Sequence, residues 1–243
     1  MPRISLIIPA FNEEFYLPAL LDSADIARQH FVDGADAVEI VVADNASTDH
    51  TAEIARARGC HVVHVLKRSI AAARNGGAKA ARGEILAFID ADSEIHPQTF
   101  NAIEQTLASG KVIVGATGLR PSRMSPALAF MLFLWVPLSR LARLDAGVVF
   151  CRREDWETIG GYREQLLVAE DVRFLLDMKR LGRTRSQRFA RAKGAKAITS
   201  TRKFDKHGDW RFLMGMILSP FWWLFRPQAV ERWAWQHWYE DRA

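Results

Sequence analysis

The sequence predicts an α/β fold: a mostly parallel sheet flanked by helices, followed by a tryptophan-rich helical tail. Three observations carry this. Short apolar runs rich in β-branched residues alternate with helix-like segments through the first half of the chain. Each run gives way to polar residues, which gathers chemistry at the carboxyl edge of the sheet, where open α/β sheets bind ligands. Six of the eight tryptophans fall between Trp210 and Trp238, outside that alternating region.

The elements follow in order. "ISLII" (Ile4–Ile8), "VEIVVA" (Val38–Ala43), "HVVHVL" (His61–Leu66) and "ILAFI" (Ile85–Ile89) read as buried strands. Between them Glu14–Arg28, His50–Arg58 and the alanine-rich Ile70–Ala81 read as helices. Met124–Ser139 holds sixteen residues without a charge but contains Pro126 and Pro137. It is shorter than the ~20 apolar residues that span a bilayer, so it reads as a buried or interfacial helix. "GVVFCRRED" resumes a strand, and Glu170–Leu181 is a helix with Val172, Leu175, Leu176 and Met178 as its apolar positions. The domain reading is residues 1–204 as one α/β domain and 205–243 as an apolar helical tail.

Composition narrows the class. The 243 residues are 49% hydrophobic and 25% charged, the balance of a globular protein. A net charge of +5 favours phosphates or anionic lipid as partners. The excess is concentrated: Met178–Lys206 carries eleven Lys or Arg and one acid, Asp205. That stretch contains no recognition module, so nucleic acid is not expected. Cys60 and Cys151 lack CxxC spacing and no basic-then-apolar leader precedes the first strand, which reads as cytoplasmic. Neither GxGxxG nor GxxxxGK[ST] follows any strand, which disfavours those two nucleotide-binding classes.

The strand ends supply the candidates. Asp90 and Asp92, in "DADS", are two apart, and paired carboxylates repel unless a cation compensates them. Mg²⁺ or Mn²⁺ shared with a substrate's diphosphate would do so; a turn or a helix cap is the alternative. Asp44 precedes the capping residues Ser47 and Thr48 and is suited to accept hydrogen bonds from a base or ribose. Arg74 sits within a helix, where position alone reads as a solvated charge, and Gly76 and Gly77 beside it suggest close packing or a ligand approaching the backbone. Glu170 and Asp171 open a helix; they complement its dipole, and either can serve as a general base. Arg202, Lys203, Lys206 and His207 are cations able to neutralise a leaving diphosphate, and His207 is also a possible metal ligand.

In their order, "SLIIPAFNEE", "IVVADNASTDHT", "AAARNGGAKAARGEILAFIDADS", "GVVFCRREDWETIGGYRE" and "AEDVRFLLDMKRLGR" resemble a family 2 glycosyltransferase of the Rossmann-like GT-A fold. The resemblance covers roughly residues 3–202. It implies that Pro9, Ala10 and Glu13 line the nucleoside pocket, that Asp44 contacts the base and that Arg74 holds the nucleotide. It implies that Asp90, Ala91 and Asp92 form the DxD, with Asp92 the direct metal ligand and Asp90 beside it. Asp171 becomes the catalytic base of an inverting transfer, and Arg202 a diphosphate contact. The QxxRW motif of processive synthases is absent, which implies transfer of one sugar. The implied partners are a nucleotide-diphospho-sugar donor and a saccharide or polyprenyl-lipid acceptor, which receives the sugar on a hydroxyl or on a lipid phosphate. The intact acid pairs argue against a non-catalytic nucleotide-sugar binder, and "PAFNEE" in place of a glycine-rich loop argues against a sugar nucleotidyltransferase. The segment "FLMGMILSPFWWLF" has two open readings: peripheral contact with a membrane, or packing on the core or on a second subunit. The oligomeric state is open as well.

Overall fold

A computed structural model describes residues 1–142, 144–166, 169–211 and 213–214, except for the side chains of Trp135, Arg140, Lys203 and His207. The first half follows the alternation: β1 (Ile4–Ala10), α1 (Leu17–Gln29), β2 (Val38–Asp44), α2 (Thr51–Ala57), β3 (His61–His64), α3 (Ile70–Ala80) and β4 (Ile85–Phe88). Then come β5 (Ser93–Glu94), α4 (Thr99–Leu107), β6 (Val112–Ala116), β7 (Leu119–Pro121), α5 (Pro126–Ala142) and β8 (Val149–Arg152). The last elements are α6 (Arg153–Ile159), α7 (Glu170–Thr184), β9 (Arg188–Arg191), β10 (Ala197–Thr199) and α8 (Arg202–His207).

Seven strands form the main sheet in the order β3-β2-β1-β4-β8-β6-β9. The first four are parallel; β8 runs antiparallel to both of its neighbours, and β6 pairs with β9 in parallel. Strand alternation divides the core between the two faces. Leu6 and Ile8 of β1 pack with Leu17, Leu20 and Leu21 of α1 and with Phe100 and Ile103 of α4. Ile7 faces the other way, with Ala71 and Ala78 of α3 and Phe174 and Met178 of α7. Both faces of β1 are therefore covered, and all seven of its residues are buried.

The expected close packing at the paired glycines is present. A Cβ on Gly77 would lie 2.6 Å from Ile7 Cγ2, and one on Gly76 would lie 2.5 Å from Val65 Cγ2. A second, small sheet, β5-β10-β7, had no signal in the pattern of apolar residues. Its pairing of Thr199 with Ser93 brings the chain around residue 200 back onto the loop after β4. Helix α8 runs across residue 204, and Arg123 forms ion pairs with Asp205 and Asp209. Most of the tail segment "FLMGMILSPFWWLF" lies outside the described residues.

Candidate active site

The site gathers at the carboxyl ends of β1, β2 and β4. Ala10 pairs with Asp44 in register, so the loops leaving β1 and β2 begin side by side. They are stitched together. Asn12 N–H donates to Ser47 Oγ at 3.1 Å, Glu13 N–H to Thr51 Oγ1 at 2.8 Å, and Thr48 N–H to Asn12 Oδ1 at 2.9 Å. Ser47 and Thr48 therefore tie loop to loop and do not cap α2, whose N-cap position is His50.

Asp44 is buried at the end of β2. Its Oδ1 accepts the Ser47 N–H at 3.1 Å and its Oδ2 lies 2.9 Å from His64 Nδ1. Pro9 and Ala10 are buried in β1, and the Ala10 carbonyl accepts the Asn45 N–H at 2.7 Å.

Arg74 is not a solvated helix charge. It is buried, because α3 packs against β1 and β2 and turns this position inward. Its Nη1 donates to Glu170 Oε1 at 3.1 Å and its Nη2 to Asp90 Oδ1 at 2.8 Å, with the guanidinium 5.2 Å from the centre of the Tyr162 ring. Burial opposes the charge, but Asp90, Tyr162 and Glu170 outweigh it and raise its pKa. Its Nε is buried without a hydrogen-bond partner, a donor left over inside the site.

The acid pair at the start of α7 divides its labour. Consecutive helical residues point about 100° apart, so only one of them can face Arg74 squarely. Glu170 does so and is buried; burial raises its pKa, with Arg74 pulling the other way. Asp171 is exposed. Asp171 lines a cavity of about 80 Å³ together with Arg74, Asp90, Ser93, Asp145 and Thr199.

Asp90 and Asp92 lie on a turn, closed by the Ser93 N–H donating to the Asp90 carbonyl at 3.1 Å. Their surroundings differ accordingly. Asp90 meets Arg74, whereas Asp92 lies 3.2 Å from Arg202 Nε. Ala91 between them is buried. Arg202 also spans both oxygens of buried Glu13, at 2.8 and 2.7 Å. Burial opposes its charge too, and the Glu13 hydrogen bond with the Asp92 charge raises its pKa in spite of that.

Two carboxylates on one turn are hard oxygen donors suited to Mg²⁺ or Mn²⁺, cations that leave several positions to water and substrate phosphate. Among the described residues no three His, Cys, Asp or Glu come together as a metal cluster. The His207 side chain lies outside the described residues.

Asp145 is a site residue that sequence patterning missed. It follows α5 by three positions, its carboxylate pairs with Arg191, and it shares the cavity of Asp171. The one available signal was the "DAG" before β8. Gly147 has φ 88°, and a Cβ there would lie 2.3 Å from the Gly118 carbonyl oxygen, so this loop can close only with glycine.

A family model described as "Glycosyl transferase family 2" matches residues 5–153. The undecaprenyl-phosphate 4-deoxy-4-formamido-L-arabinose transferase of Pseudomonas paraeruginosa is 34% identical over 131 residues, covering 51% of this chain and 37% of its own. The chain spans about a third of the length of the curated relatives it matches. The mannosyltransferase PcManGT from Pyrobaculum calidifontis, in complex with GDP-Man and Mn²⁺, superposes with a TM-score of 0.66 at 24% identity, covering 90% of this chain and 62% of its own. Glucosyl-3-phosphoglycerate synthase from Mycobacterium tuberculosis, in complex with Mn²⁺, UDP and glucosyl-3-phosphoglycerate, gives 0.61 at 23%, covering 90% and 79%. Likeness at that identity concerns the fold, and the fold is GT-A.

Proposed function

The chain belongs to glycosyl transferase family 2, and from that premise we propose that it moves a single sugar, with inversion, from a nucleotide-diphospho-sugar to an acceptor hydroxyl. The observation that carries this reading is the shared cavity. Asp171, exposed at a helix start, opens onto the same space as Asp90 and Arg74. A base and a diphosphate site thus face one small volume, as an in-line displacement needs.

Each residue then has a task. Pro9, Ala10 and Glu13 shape the nucleoside side, where Asp44 accepts hydrogen bonds from the base. Arg74 and Arg202 lie beside the diphosphate; two N–H donors of Arg202 remain beyond its contacts with Glu13 and Asp92. Asp90 and Asp92 would hold a Mg²⁺ or Mn²⁺ ion, which when bound supplies positive charge to the leaving group. Asp171 takes the proton from the acceptor hydroxyl. The acceptor oxygen bonds to the anomeric carbon as the bond from that carbon to the diphosphate oxygen breaks.

A general base suits a hydroxyl acceptor, saccharide or lipid-linked, because a lipid phosphate is already ionised at neutral pH and has no need of one. The test is Asp171→Asn. Transfer should fall about 10²–10⁴-fold, while calorimetric donor binding stays unchanged. Undiminished turnover would remove Asp171 as the base. A thermal-shift screen of UDP-, GDP- and TDP-sugars, with and without Mn²⁺, identifies the donor, since a bound ligand raises apparent stability.

A further inference from the structure

One face of α5 is inverted relative to the usual pattern. Phe130, Phe133, Leu134, Leu138 and Leu141 recur at the spacing of a single helical stripe, and every one of them is exposed, Phe133 at 75% and Leu141 at 83%. The inward side of the helix is held by Ala127, Leu128 and Ser139, all buried. The stripe continues beyond the helix at Trp210, an exposed side chain whose ring lies 6.2 Å from that of Phe130. A contiguous apolar surface of this kind marks a docking face.

The electrostatics at one end of the stripe indicate what docks there. Leu141 and Ala142, at the end of α5, form a hollow of about 470 Å³ with Lys179, Arg183, Gln187, Arg188 and Phe189. Lys179 donates to the Ala142 carbonyl at 2.8 Å, which fixes that cation beside the helix end. Arg183 and Arg188 are exposed, and neither is in an ion pair among the described residues. An apolar stripe bordered by Arg183 and Arg188 at one end complements a bilayer surface that presents acyl chains beneath anionic headgroups.

We infer that the α5 stripe inserts into the interface of an anionic membrane, with Lys179, Arg183 and Arg188 at the headgroup level. The inference does not rest on the glycosyl-transfer chemistry. It has a consequence for access. The chain leaves α5 and reaches Asp145, in the cavity of Asp171, three residues later, so a protein docked by this stripe holds its cavity close to the membrane plane.

The test uses the full chain and sedimentation with two kinds of vesicle: phosphatidylcholine alone, and phosphatidylcholine mixed with an equal amount of phosphatidylglycerol. Binding should be strong only to the anionic vesicles. Phe133→Glu should abolish it, and Arg183→Gln or Arg188→Gln should each weaken it about fivefold, the equivalent of about 1 kcal/mol per cation. Val32→Glu, at another exposed apolar side chain, should change nothing. Equal binding by wild type and Phe133→Glu would overturn the inference. Absence of vesicle binding would overturn it too. In that case a lowered thermal midpoint in Phe133→Glu would assign the stripe to the chain's own tail, and loss of self-association by light scattering would assign it to a second copy.

Discussion

Arg202 grips Glu13 through both carboxylate oxygens, although 189 residues separate them in the chain. The pair joins the loop after β1 to the start of α8, and Asp92 joins it through Arg202 Nε. Glu13 is only 1% exposed, and Arg202 holds its charge through both oxygens. Arg202→Ala would take this cation away from a buried carboxylate and should destabilise the protein by about 3–5 kcal/mol in urea unfolding. Adding Glu13→Gln should recover a substantial part of that loss, because the buried charge that lost its cation is then gone. Equal stability of wild type and Arg202→Ala would show that the pair contributes nothing net.

Glu170 gives a pH dependence. Burial raises its folded pKa above the unfolded value of 4.5, against the pull of Arg74. An acid with a raised folded pKa contributes stability below pH 4.5 that is lost as pH rises through the folded value. The wild type should therefore lose that contribution between pH 4.5 and the raised pKa, whereas Glu170→Gln should not. The comparison is the difference in urea midpoint between the two proteins across that window. A constant difference would show that Glu170 titrates normally.

These two sites show which parts of the molecule the sequence announces. Strands β1 to β4, the helices between them and α7 were legible because each is a local pattern: a β-branched run, an alanine-rich helix, an acid pair at a helix start. The expected burial held for β1, β2 and β4 but not for β3, whose His61 and His64 are exposed. The burial of Arg74 was not legible. Its helix position resembles a solvated charge, and only the packing of α3 on β1 and β2 turns it toward Asp90 and Glu170. The small sheet was invisible for a related reason. Its strands are two or three residues long, too short to carry a period, yet they bring Arg202 to Asp92. Family motifs marked Asp171 and the DxD turn. They did not mark Asp145, whose place depends on the two close-packed glycine loops.

Asp145 should act on the acceptor. Its carboxylate is held by Arg191 and lies in the cavity that Asp171 opens, where it can accept a hydrogen bond from a hydroxyl other than the one that reacts. A hydrogen bond to a charged group is worth about 1.5–3 kcal/mol. Asp145→Asn should therefore raise the acceptor KM about 10- to 100-fold, with donor affinity unchanged and kcat changed little. A loss confined to kcat would place Asp145 in the chemistry itself, and a loss of donor affinity would place it on the nucleotide side.

The adjacent glycines of α3 should respond differently to the same substitution. Alanine gains about 1 kcal/mol over glycine in a helix interior, so the packing decides the sign. At Gly77 the new methyl meets Ile7 Cγ2 at 2.6 Å and Ala43 Cβ at 3.3 Å. Both belong to buried central strands that cannot move aside, and overpacking there costs about 1–3 kcal/mol or more. At Gly76 the nearest contact is the Val65 side chain, with Cγ2 at 2.5 Å, in a connection after β3. A rotation of that valine relieves the contact. Gly77→Ala should therefore lower the unfolding free energy, and Gly76→Ala should leave it within about 1 kcal/mol of wild type. Equal losses at both positions would mean that the backbone around Val65 is as rigid as the central sheet.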